Sequence, residues 1–172
     1  MKKYSEAEKK SNLQTYLVFG LNNELFAFNV HKVINIIKIC PVTKVPHTPP
    51  YVKGVFNLRG DVIPLIDLRL RFGLPEGTIT EDTAIIILTA YFEGDDVMLG
   101  ALVDSVQDVL DIDDASVEPF PAIGSKYNVL FVAGLFKLKE RVILILDVDN
   151  IFGGTEDMVA KAVEKNEGDT GN

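Results

Sequence analysis

The sequence predicts a mainly β fold made of two small, similar lobes, and three observations carry that prediction. Apolar runs of strand length recur along the chain with turn residues between them. Gaps between runs are hairpin-sized, as at "NN" between "QTYLVFGL" and "ELFAFNV". The chain also contains itself twice. Set over "GLFKLKERVILILDVDNIFG" (Gly134–Gly153), "GVFNLRGDVIPLIDLRLRFG" (Gly54–Gly73) agrees at eight of twenty positions without a gap. Ordinary composition gives roughly one or two. Upstream, "AFNVHKVINII" (Ala27–Ile37) matches "ALVDSVQDVL" (Ala101–Leu110) once one residue is skipped. Both place a valine two residues before Asn or Asp: Val33 and Asn35, Val106 and Asp108. A unit of about 60–70 residues is used twice.

Each element follows from local chemistry. The runs around "NN" form the first hairpin, and "TAIIILTAYF" and "VMLGALV" around "EGDD" form its counterpart. Val55–Arg59 pairs with Val62–Ile66, and Leu135–Lys139 with Val142–Leu146. Asp67 and Asp147 then sit at helix N-caps, with Gly73 and Gly153 ending the short helices. Gly54 and Gly134 are shared by both copies as structural positions. "ICPVTKVPHTPPYVKG" holds four of the eight prolines, so it is a stiff extended connector. Many short strands in lobes this small suggest barrels, which leave no open sheet edge. The expected organisation is one domain over residues 14–153, in two duplicated lobes near 14–80 and 81–153 whose termini can cross over. Residues 1–13 read as a flexible N-terminus, and 154–172 as a C-terminal helix with a disordered tail.

Composition narrows the function. At 172 residues the chain can bury roughly 70% of its unfolded surface without metal or disulfide. A single cysteine, Cys40, fits a reducing compartment. The start, "MKKYSEAEKKSNLQ", has no apolar core of an export signal, and no run reaches the roughly 20 residues of a membrane helix. A cytoplasmic protein without membrane insertion is expected. The net charge of −8 argues against nucleic acid as a partner. His31 and His47 are the only histidines, without metal-ligand spacing, so neither metal nor cofactor is expected. "DIDDAS" lacks the central glycine and terminal glutamate of a calcium loop. No catalytic constellation emerges, and a non-enzymatic protein is expected.

The triplet Arg59-Gly60-Asp61 remains. Gly60-Asp61 suits the centre of a II′ hairpin turn. In the second copy the triplet becomes Lys139-Glu140-Arg141, and Pro64 becomes Leu144. What one copy has and the other lacks is the better functional candidate, which singles out Arg59 and Gly60. A solvated arginine beside a turn is the competing reading.

"VKGVFNLRGDVIPLIDLRLRFGL" resembles the signature of the CheW family of chemotaxis adaptors through Gly54, Asn57, Leu58, Arg59, Gly60, Pro64, Asp67, Leu68 and Arg69. The likeness extends over about Gln14 to Phe152 and departs at Asn35, where the family carries glutamate. It implies two packed five-stranded SH3-like β-barrels and no catalysis. It further implies a scaffold coupling methyl-accepting chemoreceptors to the histidine kinase CheA, recruited to membrane-associated receptor arrays. The implied partners are the CheA regulatory domain, the chemoreceptor cytoplasmic signalling tip and other CheW copies. Carried onto this chain, the partner-binding candidates are Val33, Asn35, Ile36, Arg59, Gly60, Val103, Val106 and Val109. Core packing is the competing reading for each valine taken singly. The alternative is a diverged CheW-like module with other signalling partners.

Overall fold

A computed structural model of the chain describes residues 12–121 and 127–153. Among these, ten strands run in order: β1 (Leu13–Leu21), β2 (Glu24–Asn29), β3 (Val33–Lys38), β4 (Val52–Leu58), β5 (Asp61–Asp67), β6 (Ala84–Phe92), β7 (Asp95–Val103), β8 (Ser105–Asp113), β9 (Val132–Leu138) and β10 (Arg141–Leu146). Helix α1 (Leu68–Arg71) follows β5, and α2 (Val148–Phe152) follows β10. They form two five-stranded sheets, ordered β8-β1-β2-β10-β9 and β3-β6-β7-β5-β4. Adding five to each strand number of the first copy and subtracting five from each of the second converts one order into the other, so the duplication in the sequence is a duplication in space.

The lobes nonetheless do not divide near residue 80. The middle lobe takes β3 to β7, while the terminal lobe joins β1 and β2 to β8, β9 and β10. Each lobe therefore combines one copy's first hairpin with the other copy's last three strands, and the crossing involves whole elements. The cause is the length of two connections. For β3 to lie beside β1 in its own copy's sheet, the chain would have to return along the whole of β2, about 20 Å for six residues. Only the 3₁₀ turn Val30–Lys32 is available, and three residues span at most ~10 Å. Between β7 and β8 there is Asp104 alone. Both strands must run onward into the other lobe.

Burial follows from this layout. On β1, Leu17, Phe19 and Leu21 face a central core, while Tyr16 and Val18 face the interior of the terminal lobe. On β6, Ile86, Leu88 and Ala90 face the centre, and Ile85 and Ile87 line the middle lobe with Phe56, Ile63 and Leu65. Strands buried on both faces need unbroken apolar runs, which is why "AIIIL" does not alternate. The central core holds an aromatic cluster in which Phe72 meets Phe26, Tyr127 and Phe131 at centroid distances of 5.7, 5.9 and 5.8 Å.

The caps are as expected. Asp67 accepts from the Leu70 N–H at 3.3 Å, and Asp147 from the Asn150 N–H at 3.1 Å. Gly73, at φ +76°, closes α1. Gly153 ends α2 differently, at φ −55°, outside the left-handed region. Leu13, expected in the flexible N-terminus, already belongs to β1. The expected C-terminal helix lies outside the described residues. The β4–β5 turn is also corrected. It centres on Arg59-Gly60, at φ +52° and +89°, the I′ rather than II′ signature, and Asp61 is the first residue of β5, paired with Leu58. The Asn57 side chain stabilises this choice by accepting the Gly60 N–H at 2.9 Å.

Gly54 has a different reason to be glycine. The connector closes a two-bond bridge to β4, Thr43 N–H to Val55 O and Val55 N–H to Thr43 O, both 2.8 Å. A Cβ on Gly54 would meet the Thr43 carbonyl oxygen at 2.2 Å. Gly134 stands in the same place beneath the Glu118–Leu135 bridge. Around Gly60 a Cβ would meet nothing within 4 Å. Gly60→Ala is expected to cost only the ~1–2 kcal/mol of a left-handed residue. Gly54→Ala adds a backbone clash and is expected to cost clearly more, as chemical denaturation would measure.

Asp67 is 4% exposed, and burial raises its carboxyl above the ordinary 3.8 against the opposing pull of helix N–H groups and Lys53. A raised acid favours the neutral form in the fold. Its contribution is largest at low pH and is lost as pH rises through the folded value. Asp67→Asn keeps a capping side chain. The variant is therefore expected to gain thermal stability relative to the parent as pH rises from the ordinary carboxylate range to neutrality, measured as the difference in Tm at each pH.

Candidate protein-binding surface

Strands β3 and β8 are the equivalent edges of the two sheets. Each begins directly after a crossing and carries the same irregularity. Register shifts between Val33 and Asn35 on β3, and between Val106 and Asp108 opposite β1, so Ile34 and Gln107 are bulged. The residue after each bulge fixes it identically. Asn35 Oδ1 accepts the Ile36 N–H at 2.8 Å, and Asp108 Oδ1 accepts the Val109 N–H at 2.8 Å. An amide oxygen serves as well as a carboxylate there, so the backbone at Asn35 keeps its shape while the charge is gone.

The bulges re-aim the side chains that follow. Ile36 is 42% exposed and Val109 55%, at matching places in the two copies. Ile34 and Ile39 extend the apolar surface of β3. Val33 and Val106 are half-buried against the central core. Val103 is corrected: at 1% exposure it lies within that core, because the last residue of β7 points inward just before the chain crosses. Partner contact is therefore available to Ile36 and Val109, in part to Val33 and Val106, and not to Val103.

Arg59 and Gly60 occupy the exposed tip of the β4–β5 hairpin. No hydrogen bond or ion pair joins Arg59 to β3 or β8 among the described residues, so the structure does not gather all candidates into one constellation. Beside the tip, Val62 is exposed, and its counterpart Val142 is exposed on the other lobe. His31 sits in the first crossing turn, His47 in the connector at φ +63°, and Cys40 packs against the middle lobe's core. Among the described residues no group of three or more potential metal ligands comes together, and no helix is long and apolar enough to cross a membrane.

Two ion pairs beside β3 and β8 were missed in the sequence. Arg69 on α1 forms a fork with Asp104 at the second crossing, Nε–Oδ1 2.7 Å and a terminal nitrogen to Oδ2 2.6 Å. That contact holds the guanidinium charge more firmly. Asp104 also accepts the Asn22 N–H of the terminal lobe at 2.8 Å. At the first crossing Lys32 meets Asp149 on α2 at 3.1 Å, and Asp149 accepts the Tyr91 N–H of the middle lobe at 2.8 Å. The signal was present: the gapless alignment sets Arg69 over Asp149, opposite charges at one position.

Comparison with known proteins agrees with this architecture. The family model described as "CheW-like domain" matches residues 15–156. A chemotaxis protein CheW from Klebsiella aerogenes is 33% identical over 153 residues, covering 87% of this chain and 90% of that protein. One from Bacillus subtilis is 37% identical over 135 residues, covering 78% and 84%. The crystal structure of the scaffolding protein TtCheW from Thermoanaerobacter tengcongensis superposes with a TM-score of 0.73 at 34% identity, covering 81% of this chain and 87% of that one. With duplicated five-stranded sheets, a matching signature and relatives aligned over most of their length, the chain belongs to the CheW family.

Proposed function

We propose that this protein is a non-enzymatic scaffold that couples chemoreceptors to the histidine kinase CheA. The observation that carries the reading is the pair of uncovered edge strands, whose bulges present Ile36 and Val109 to solvent at equivalent places in the two lobes. Exposed apolar side chains along an edge strand suit the apolar face of a helical segment such as a receptor signalling tip. The names of the relatives, chemotaxis proteins and a scaffolding protein, support the same reading. The kinase contact is assigned to its regulatory domain, contacts between copies of the chain complete the assembly, and the site of action is the cytoplasmic face of the receptor array. Asn35 favours one second reading, a diverged CheW module with other signalling partners, because the bulge is kept while the charge is not.

Calorimetric titration against the CheA regulatory domain and against a receptor-tip fragment tests both readings. Arg59→Ala is expected to weaken at least one association by ~1–3 kcal/mol with an unchanged Tm, since the side chain is exposed and makes no ion pair among the described residues. A parallel loss of Tm and affinity would make the arginine structural. Saturable binding to neither partner, restored by Asn35→Glu, would establish the diverged module.

The exposure pattern gives a further separation. Ile36→Ser and Val109→Ser are expected to reduce binding with little change in stability. Val103→Ala is expected to lose about 2 kcal/mol of stability in denaturant titration while the affinity of the folded protein stays unchanged.

A further inference from the structure

We infer that Arg69 and Lys32 are positioning residues: their charge-reversed ion pairs, Arg69–Asp104 and Lys32–Asp149, set the spacing between the two candidate binding strands. The inference rests on the reading of β3 and β8 as a partner surface, although its structural half stands without it. Lys32 immediately precedes Val33, where β3 begins, and Asp104 immediately precedes Ser105, where β8 begins. Whatever holds these two residues therefore holds the start of each strand.

Each pair also reaches both lobes. In the first, α1 of the middle lobe grips the crossing through Arg69, while Asp104 takes the Asn22 N–H of the terminal lobe and gives its own N–H to the Gly20 carbonyl at 3.1 Å. In the second, Asp149 on α2 of the terminal lobe grips Lys32 and takes the Tyr91 N–H of the middle lobe. The carboxylate is in both cases the group shared between lobes. The Arg69 pair is the less solvated, with side chains 19% and 32% exposed, so it is the less screened of the two.

Reversal of polarity gives selectivity. A helix bearing Arg69 set against the crossing that carries Lys32 would bring two cations together. A helix bearing Asp149 set against Asp104 would bring two carboxylates together. Sheet register already sets each helix beside its crossing, with Asp67 opposite Leu102 and Ile145 opposite Ala27, and the reversed charges add a penalty to any mismatched contact.

The test uses the full chain in a Cys40→Ser background, spin-labelled through cysteines at Lys38 on β3 and Gln107 on β8, both exposed. Pulsed electron resonance reads the distance distribution, and titration against the CheA regulatory domain and the receptor-tip fragment runs on unlabelled protein. Arg69→Met keeps the stem and removes the charge; Lys32→Met, on the more exposed pair, does so at little risk to folding. Each is expected to broaden the distribution and weaken partner affinity about 3- to 10-fold. Lys32→Arg is expected to recover a narrow distribution and most of the affinity, and Arg69→Lys, which keeps the charge but loses the fork, only part of each. A distribution and affinity unchanged in both Met variants, with only Tm lowered, would overturn the inference. Broadening without recovery in Lys32→Arg would also overturn it, since charge would not be the cause. If the parent binds neither partner, the scaffold reading fails and the distance arm alone decides the structural half.

Discussion

Two short connections govern this fold. Three residues between β2 and β3, and one between β7 and β8, are too few to bring either strand back into its own copy's sheet. The chain has to pass onward twice, and everything else follows from those crossings. Each sheet is completed by the other copy, the first hairpins become buried on both faces, and a shared core forms where two independent barrels would have had solvent. The edges left uncovered, β3 and β8, are the strands that leave the crossings.

Repetition of detail shows how closely the two halves obey one plan. The Asp67 N–H bonds the Tyr51 carbonyl at 2.7 Å, and the Asp147 N–H bonds the Phe131 carbonyl at 2.8 Å. Bulges, bridges and caps recur in step. Departures are therefore informative. Gly60 gives way to Glu140, Asn35 to Asp108, and Arg69 to Asp149. The Asn35–Asp108 exchange changes the surface while both side chains hold the same bulge; the Gly60–Glu140 exchange also changes the turn, since Gly60 has φ +89° and Glu140 no positive φ; and the third reverses the sign of an ion pair. Arg71 has no counterpart of its kind in the second copy: its guanidinium lies 4.8 Å from the Tyr51 ring and 4.5 Å from the Phe131 ring, and its Nε donates to the Ile151 carbonyl at 3.0 Å. It ties α1 to α2 across the middle of the molecule.

Much of this was legible in the sequence because it is local. Hairpins, the Asp67 and Asp147 caps, the closing Gly73 and the duplication itself depend on residues near one another in the chain. Which copy supplies a strand's neighbour is not local. Pattern gives the strand type but not its partner, although the length of Val30–Lys32 held the answer. The turn at Arg59-Gly60 was misplaced by one residue because Gly60 satisfies either turn type, and the deciding bond comes from Asn57. Val103 was misjudged for a related reason: a valine one residue before a crossing reads like a surface stripe until its neighbours on the facing sheet are known.

The middle lobe is one continuous stretch, Val33 to Val103, whereas the terminal lobe is assembled from both ends of the chain. During synthesis these two do not mature together. The hairpin β1–β2 leaves the ribosome first, yet β8 and β10, which flank it, are made last. For most of translation Phe19, Phe26 and Phe28 have no sheet to close over them, while the middle lobe can already pair its strands. The order of manufacture thus gives the nascent chain a long interval with an apolar hairpin uncovered, the condition under which chaperone engagement and premature association compete with folding.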